Sequence, residues 1–229
     1  MSDEALSFFP LSEEAVLIRF GSDPSLATHQ RIQSWTRHLT QTKPEWLREC
    51  VPAITELALV FRSDRLGWRE VVEWLKVQRP DESVEAVDPN VEVLIPVHYG
   101  GEYGPDLEEV ARRASLSVGE VIQRHQAPEY RVAMLGFTPG FPYLIGLDPA
   151  LKCPRRNSPR LKVPKGAVGI AGSQTGIYSC EGPGGWQIIG RTGVSLFDPE
   201  AVSPFRLQPG DRVRFVAETE TTHWGRDER

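Results

Sequence analysis

The stretch from Leu135 to Asp198 constrains the fold more than any other part of the chain. Between Gly136 and Gly193 it holds twelve of the 20 glycines and seven of the 19 prolines. Phe, Tyr, Trp, Ile and Val are interleaved with these turn formers, so the stretch is not a flexible linker. Gly permits positive φ and Pro fixes φ, so alternating them with apolar β formers writes short strands joined by tight turns. A second feature lies inside the first. From Pro149 to Cys180 there is no Asp or Glu, while Lys152, Arg155, Arg156, Arg160, Lys162 and Lys165 are all present. A Pro-stiffened cationic loop backed by strands suits the holding of an anion.

The remainder of the chain divides around this stretch. Ala15 to Phe20 and Ile54 to Arg62 read as strands. A helix is expected from Asp23-Pro24 onward, as N-cap and first helical residue, with Ile32, Trp35 and Leu39 on one face. A second follows over Gly67 to Val77. Residues 8–80 thus give β-α-β-α, a small α/β domain covering about residues 1–85. Pro80 to Asn90 is acidic, Pro-bounded and aperiodic, as a linker would be. The second domain, residues 90–218, opens with a strand at Val91 to Val97 and carries a helical insertion near 105–126. There Ser117 and Glu120 form a capping box. Further strands are expected at Tyr130–Leu135, Ala167–Ala171, Trp186–Ile189, Val194–Phe197 and Asp211–Val216, the pattern of a closed or sandwiched β-domain. Residues 219–229 read as a tail. The fold class is therefore α+β.

Charge and motifs exclude several activities. The net charge of −5 argues against general nucleic-acid binding. The acid excess sits in residues 1–90, so the cationic loop stands out in a neutral second half. No apolar run approaches the ~18–20 residues of a membrane span, and the acidic N-terminus does not read as a signal peptide, so a cytoplasmic protein is expected. No P-loop occurs, no GxGxxG follows a strand, and the five histidines lack ligand spacing, so no metal site is expected. Cys153 reads either as a reactive thiol in the basic loop or as a reduced spectator.

The candidate site gathers on the loop and the turns behind it. Arg155 and Arg160, aimed by Pro154 and Pro159, fit an anion clamp, because guanidinium forks match carboxylate and phosphate. The same loop also fits a solvated or partner-facing basic patch. Gln174, Thr175 and Tyr178 follow a strand end, with Arg191 after the next strand, and all four could turn polar tips to the same region. Gly184 and Gly185 allow close approach, and Trp186 serves either as a platform or as a buried hairpin residue. Phe137, Phe141 and Tyr143 read as a packing wall. Glu102, Asp106, Glu108 and Glu109 read as acids placed for a helix N-terminus.

Five blocks of this sequence resemble one family closely: PVHYGGEYGPDLEEVA, GFTPGFPYLIGL, PRRNSPRLKVPKGAVGIAG, QTGIY and PGGWQIIGRT, over about residues 91–216. That is the KipI/PxpB family, also described as allophanate hydrolase subunit 1 or carboxyltransferase subdomains C and D. The resemblance implies a cyclophilin-like β-barrel as the C-terminal domain. It also implies a KipA/PxpC-type partner and, with a PxpA-type subunit, an ATP-dependent 5-oxoprolinase (cyclic amide hydrolase) that converts 5-oxoproline to glutamate. ATP with Mg would then act at the level of the complex, with this chain inactive alone and carrying no biotin. Other members imply inhibition of a sporulation-type sensor histidine kinase, or carboxyl transfer in a urea carboxylase-like system. Carried over by position, the resemblance weights Arg155, Pro159, Arg160, Gly172, Gln174, Thr175, Tyr178, Gly184, Gly185, Trp186 and Arg191.

Overall fold

The structure is a computed structural model that describes residues 6–81 and 92–218. The chain forms two compact units, Met1–Pro89 and Asn90–Arg229. Most of the expected linker and all of the expected tail lie outside the described residues.

In the first unit, β1 (Ser7–Ser12), β2 (Ala15–Arg19), β3 (Leu47–Pro52) and β4 (Glu56–Phe61) make one sheet in the order β1-β2-β4-β3. Every pairing in it is antiparallel. Helices α1 (Leu26–Thr42) and α2 (Trp68–Val77) bury Ile32, Trp35, Leu39, Val71 and Leu75 in the same core as Val16, Ile18, Leu57 and Leu59. The β-α-β-α reading thus omits β1 and β3. Both are edge strands whose residues are never fully buried, so neither carries the apolar alternation that marks a half-buried strand. The first helix also starts later than the Asp23-Pro24 signal: Ser25 is its N-cap, its hydroxyl accepting from the Thr28 N–H at 3.2 Å.

The second unit begins with β5 (Glu92–Tyr99), followed by α3 (Leu107–Ala114) and α4 (Val118–Gln126). The expected Ser117–Glu120 capping box is present. The strands that follow are β6 (Tyr130–Leu135), β7 (Pro142–Ile145), β8 (Arg160–Val163), β9 (Ala167–Ala171), β10 (Gln174–Ile177), β11 (Gly182–Gly184), β12 (Gln187–Arg191) and β13 (Arg212–Ala217). Seven strands, β5 among them, close a barrel in the order β10-β7-β6-β13-β5-β12-β9, while β8 and β11 pair as a separate ribbon. The expected strand at Val194–Phe197 is reduced to a single bridge from Phe197 to Phe205. Gln174 to Ile177, which the sequence pattern puts beyond a strand end, is itself β10, joined to β9 by the tight turn at Gly172-Ser173.

Strand β9 is buried at every position, and this creates the site. Val168 and Ile170 belong to the main barrel core with Val132, Leu144 and Phe215. Ala167 and Ala171, one pleat out, join Phe141, Val163, Tyr178, Trp186 and Ile188 in a second cluster. Successive residues of a strand face opposite sides. The second cluster therefore lies on the outer face of the barrel wall. Gly176 is glycine because a Cβ there would come within 2.9 Å of the Phe141 ring and 3.0 Å of Trp186. The barrel wall leaves room for aromatic rings on its outside.

Candidate functional site

That outer cluster opens into a cavity of about 220 Å³. Its walls are aromatic. Phe141 packs edge-on against Tyr178, Trp186 and Tyr143, with ring centroids 5.2, 5.4 and 4.9 Å apart, and Phe137 covers Phe141 at 5.8 Å. Edge-to-face rings of this kind hold one another rigid and leave π-faces for a flat ligand. Phe137 itself is 61% exposed, with φ of +67°. A bulky residue in the left-handed region is strained, and such strain persists where the surroundings fix it. Phe137, Phe141 and Tyr143, read from the sequence as a packing wall in preference to a ligand contact, line the cavity as well. Trp186 is buried and also lines the cavity.

The opposite lip is formed by Arg155 and Pro159 of the cationic loop, with Pro183, Gly184 and Gly185 of the ribbon side. A Cβ on Gly184 would overlap the Tyr178 hydroxyl, so the ribbon backbone lies directly on that group. Burial raises the Tyr178 pKa, while a hydrogen bond from the Trp186 backbone partly opposes the rise. The phenol stays protonated and keeps its O–H for donation.

The arginines of the loop do different things, which their spacing does not reveal. Asp106 is buried and accepts from Arg160 twice, at 2.7 and 2.9 Å, from Arg156 at 2.7 Å, and from the Ile188 N–H of β12 at 2.7 Å. Arg160 is raised further above its ordinary pKa, chiefly by these bonds to Asp106. The expected pairing of Arg155 with Arg160 in one clamp is thus corrected. Arg160 serves as a strut, its bidentate fork taken up by an internal carboxylate. Asp106, which the sequence pattern assigns to a helix N-terminus, makes no side-chain cap to α3; it is the anchor of the loop. Two further ties complete the fixing: Arg156 N–H to Gly185 O at 2.7 Å and the Gln187 side-chain amide to Pro154 O at 3.0 Å. Among the described residues, nothing hydrogen-bonds or ion-pairs with the guanidinium of Arg155, which faces the cavity beside Tyr143 and Tyr178.

The family model for the carboxyltransferase domain, subdomain C and D, matches residues 6–207. The chain belongs to that family. This agrees with the KipI/PxpB resemblance of its signature blocks. It is 42% identical over 211 residues to a 5-oxoprolinase subunit of Escherichia coli O157:H7, covering 92% of this chain and 95% of that one. The solved structure of TTHA0988 is 40% identical with a TM-score of 0.74; it covers 91% of this chain, which spans only 40% of that longer one. The Kluyveromyces lactis urea amidolyase shares the fold, with a TM-score of 0.76 at 21% identity, over 94% of this chain and 15% of that one.

Within this family member, the remaining candidates fall elsewhere. Thr175 is fully buried inside the barrel, where its hydroxyl donates to Gly169 O and meets His125 Nε2, both at 3.0 Å. It is sealed from any ligand. Arg191 donates through Nε to Lys165 O at 2.9 Å and is not among the residues around the cavity. Gln174, at the start of β10, is also outside the lining. Gly172, with φ of +59°, exchanges backbone hydrogen bonds with Cys153 and so fixes the foot of the loop. Cys153 is buried with its thiol pKa raised by desolvation, which removes the reactive-thiol reading. No helix among the described residues is long and apolar enough to cross a membrane. No cluster of metal-binding side chains occurs among them.

Asp106 and His125 are buried polar residues whose partners the sequence pattern does not disclose. The signal for Asp106 is indirect: any carboxylate that pairs with the arginines of the acid-free run has to come from elsewhere in the chain.

Proposed function

We propose that this chain is the PxpB-type subunit of an ATP-dependent 5-oxoprolinase, active only with PxpC- and PxpA-type partners. The observation that carries the reading is the composition of the cavity. Among the described residues its lining has packed aromatic rings, one unpaired guanidinium, and no carboxylate, imidazole, thiol or aliphatic hydroxyl. Such a site can bind and orient a small flat anion. Its two phenols, Tyr143 and Tyr178, are raised by burial above their ordinary pKa and stay protonated, so it offers no ready nucleophile or general base. 5-Oxoproline is a flat lactam ring bearing a carboxylate. Its ring would lie against the exposed Phe137, which Phe141 and Trp186 back, and its carboxylate would pair with Arg155. The 5-oxoprolinase name of the Escherichia coli relative, similar over nearly its full length, supports the same substrate.

The lactam is a poor electrophile. Phosphoryl transfer from ATP to its oxygen, with ADP departing, opens the ring carbon to attack by water. The ring C–N bond then breaks with protonation of the nitrogen, and hydrolysis releases the phosphoryl group as inorganic phosphate, leaving glutamate. In that sequence this chain contributes positioning and charge stabilisation, while the partners provide the reactive groups. The test is 5-oxoproline-dependent ADP release by the three coexpressed subunits. The chain alone is expected to be inactive. In the complex, Arg155→Ala raises the KM for 5-oxoproline on the order of tenfold to a hundredfold, as loss of a charge-assisted hydrogen bond worth about 1.5–3 kcal/mol would do. An unchanged KM rejects this placement of the substrate.

A further inference from the structure

A second cavity, of about 370 Å³, lies on the other side of the same loop and shares Arg155 with the aromatic pocket. Its lining is polar: Arg113 from α3, Arg155, Arg156, Asn157 and Ser158 from the loop, and Glu109. Among the described residues Glu109 is the one carboxylate in the lining, and it is already engaged. Arg112 and Arg113 both donate to it at 2.6–2.8 Å, and those bonds hold its pKa down to about 2. Asp106, one contact behind Arg156, is likewise shared by two guanidiniums. Five arginines therefore stand in or directly behind this basin against two carboxylates, a local surplus of three positive charges on a chain whose net charge is −5. A concave surface with one sign of charge concentrates ions of the other sign.

The lining is drawn from more than one element: Arg113 from a helix, Arg155 and Arg156 from one limb of the loop, and Asn157 and Ser158 from its tip. A planar carboxylate needs one fork; a tetrahedral oxyanion uses donors arriving from several directions. We infer that this basin is a phosphate subsite, and that Arg155 bridges it to the aromatic pocket so that one ligand can place a flat ring in one cavity and a phosphoryl group in the other. The inference rests on the 5-oxoproline reading for the ring, and on the basin alone for the phosphoryl group. That group would arrive either on the phosphorylated lactam or on a nucleotide; both present the same chemistry to the loop.

The experiment is titration of the full chain with inorganic phosphate, pyrophosphate and ADP, followed by amide NMR. Ser158→Asp puts a carboxylate at the exposed tip, and Arg113→Gln removes a donor from the helix side. The expected result is saturable shifts centred on residues 155–158 and 113, with each variant binding phosphate about tenfold more weakly or worse. ADP binding much more tightly than phosphate identifies a nucleotide as the source, whereas equal affinities exclude a nucleoside contact and leave the phosphorylated lactam as the remaining source. If phosphate and ADP produce no saturable shifts at these residues, or if both variants, folded by their own spectra, bind like the parent, the inference is overturned. The 5-oxoproline reading is tested separately by the KM effect of Arg155→Ala, so either can fail alone.

Discussion

Two of the buried polar nodes in the second unit, those at His125 and at Asp106, are built on opposite plans. Inside the barrel, His125 reaches from α4 between Tyr99 and Thr175, at 2.8 and 3.0 Å, with Phe215 and Tyr130 against its ring. Thr175 spends its proton on Gly169 O, so its oxygen accepts from the His125 Nε2–H. Nδ1 is then bare and accepts from the Tyr99 hydroxyl. Every group is satisfied, and nothing is charged: desolvation pushes the imidazole pKa down to about 3. Outside the barrel, Asp106 gathers two guanidiniums and a backbone N–H, and its strength comes from charge. The neutral node closes a core, whereas the charged node aims a loop. A buried polar side chain thus marks a functional region only when the groups it holds lead on to an open surface.

The difference is sharpest under truncation. Asp106→Ala leaves two arginines and the Ile188 N–H without their acceptor, and breaking a buried pair costs about 3–5 kcal/mol. Arg156 and Arg160 side chains keep 34% and 24% exposure, so water relieves part of that cost and about 3 kcal/mol is expected. Urea unfolding of the full chain, with hydrogen exchange reporting on residues 154–163, measures it. A loss below about 0.5 kcal/mol, the scale of an ordinary surface substitution, would show that Asp106 does not anchor the loop.

Acid separates the nodes in another way. His125 binds a proton in the unfolded chain below pH 6.5, but in the folded chain only near pH 3. Its contribution is therefore fully present above pH 6.5 and is lost as pH falls toward 3, at about 1.4 kcal/mol per pH unit. Replacing it by Gln keeps one donor and one acceptor without the titration. The stability–pH slope of His125→Gln between pH 6 and 4 should be shallower than the parent's by about that amount. Parallel slopes would mean that the imidazole is not sealed. A smaller effect belongs to Gly184→Ala, whose new methyl would strike the Tyr178 hydroxyl. Gly184 is only half-buried, so the ribbon can give, and about 1 kcal/mol of overpacking is expected in the same unfolding assay, together with a weaker grip on 5-oxoproline.

Much of this unit is legible in the sequence, for reasons that differ by element. Strands β6 and β9 match the expected spans residue for residue, because each is an apolar run closed by turn residues. The site is half legible. Tyr178, Trp186, Gly184, Gly185, Pro159 and Arg155 do come together around one cavity. Thr175 does not, because it lies in a strand, and strand alternation sends it inward. With Gly176 in its middle, QTGI looks like a turn rather than a strand. Arg160 escapes sequence reading because its partner lies 54 residues away, beyond the reach of local pattern. Composition marks a surplus of charge; only the fold says which charge is left over.

That leftover charge gives the smallest expected effect on stability and the most informative variant. Arg155 is exposed and makes no bond among the described residues, so Arg155→Ala should shift unfolding by no more than about 0.5 kcal/mol. Arg160→Ala should instead destabilise the loop by leaving the buried Asp106 carboxylate with one guanidinium fewer. Combining the two in the assembled complex distinguishes aiming from binding. If Arg160 acts only by placing Arg155, then once Arg155 is Ala the further change at Arg160 adds nothing to the KM for 5-oxoproline, although it still lowers stability. Additive KM effects would instead mean that Arg160 meets the substrate itself, and the division of labour between the two arginines would have to be abandoned.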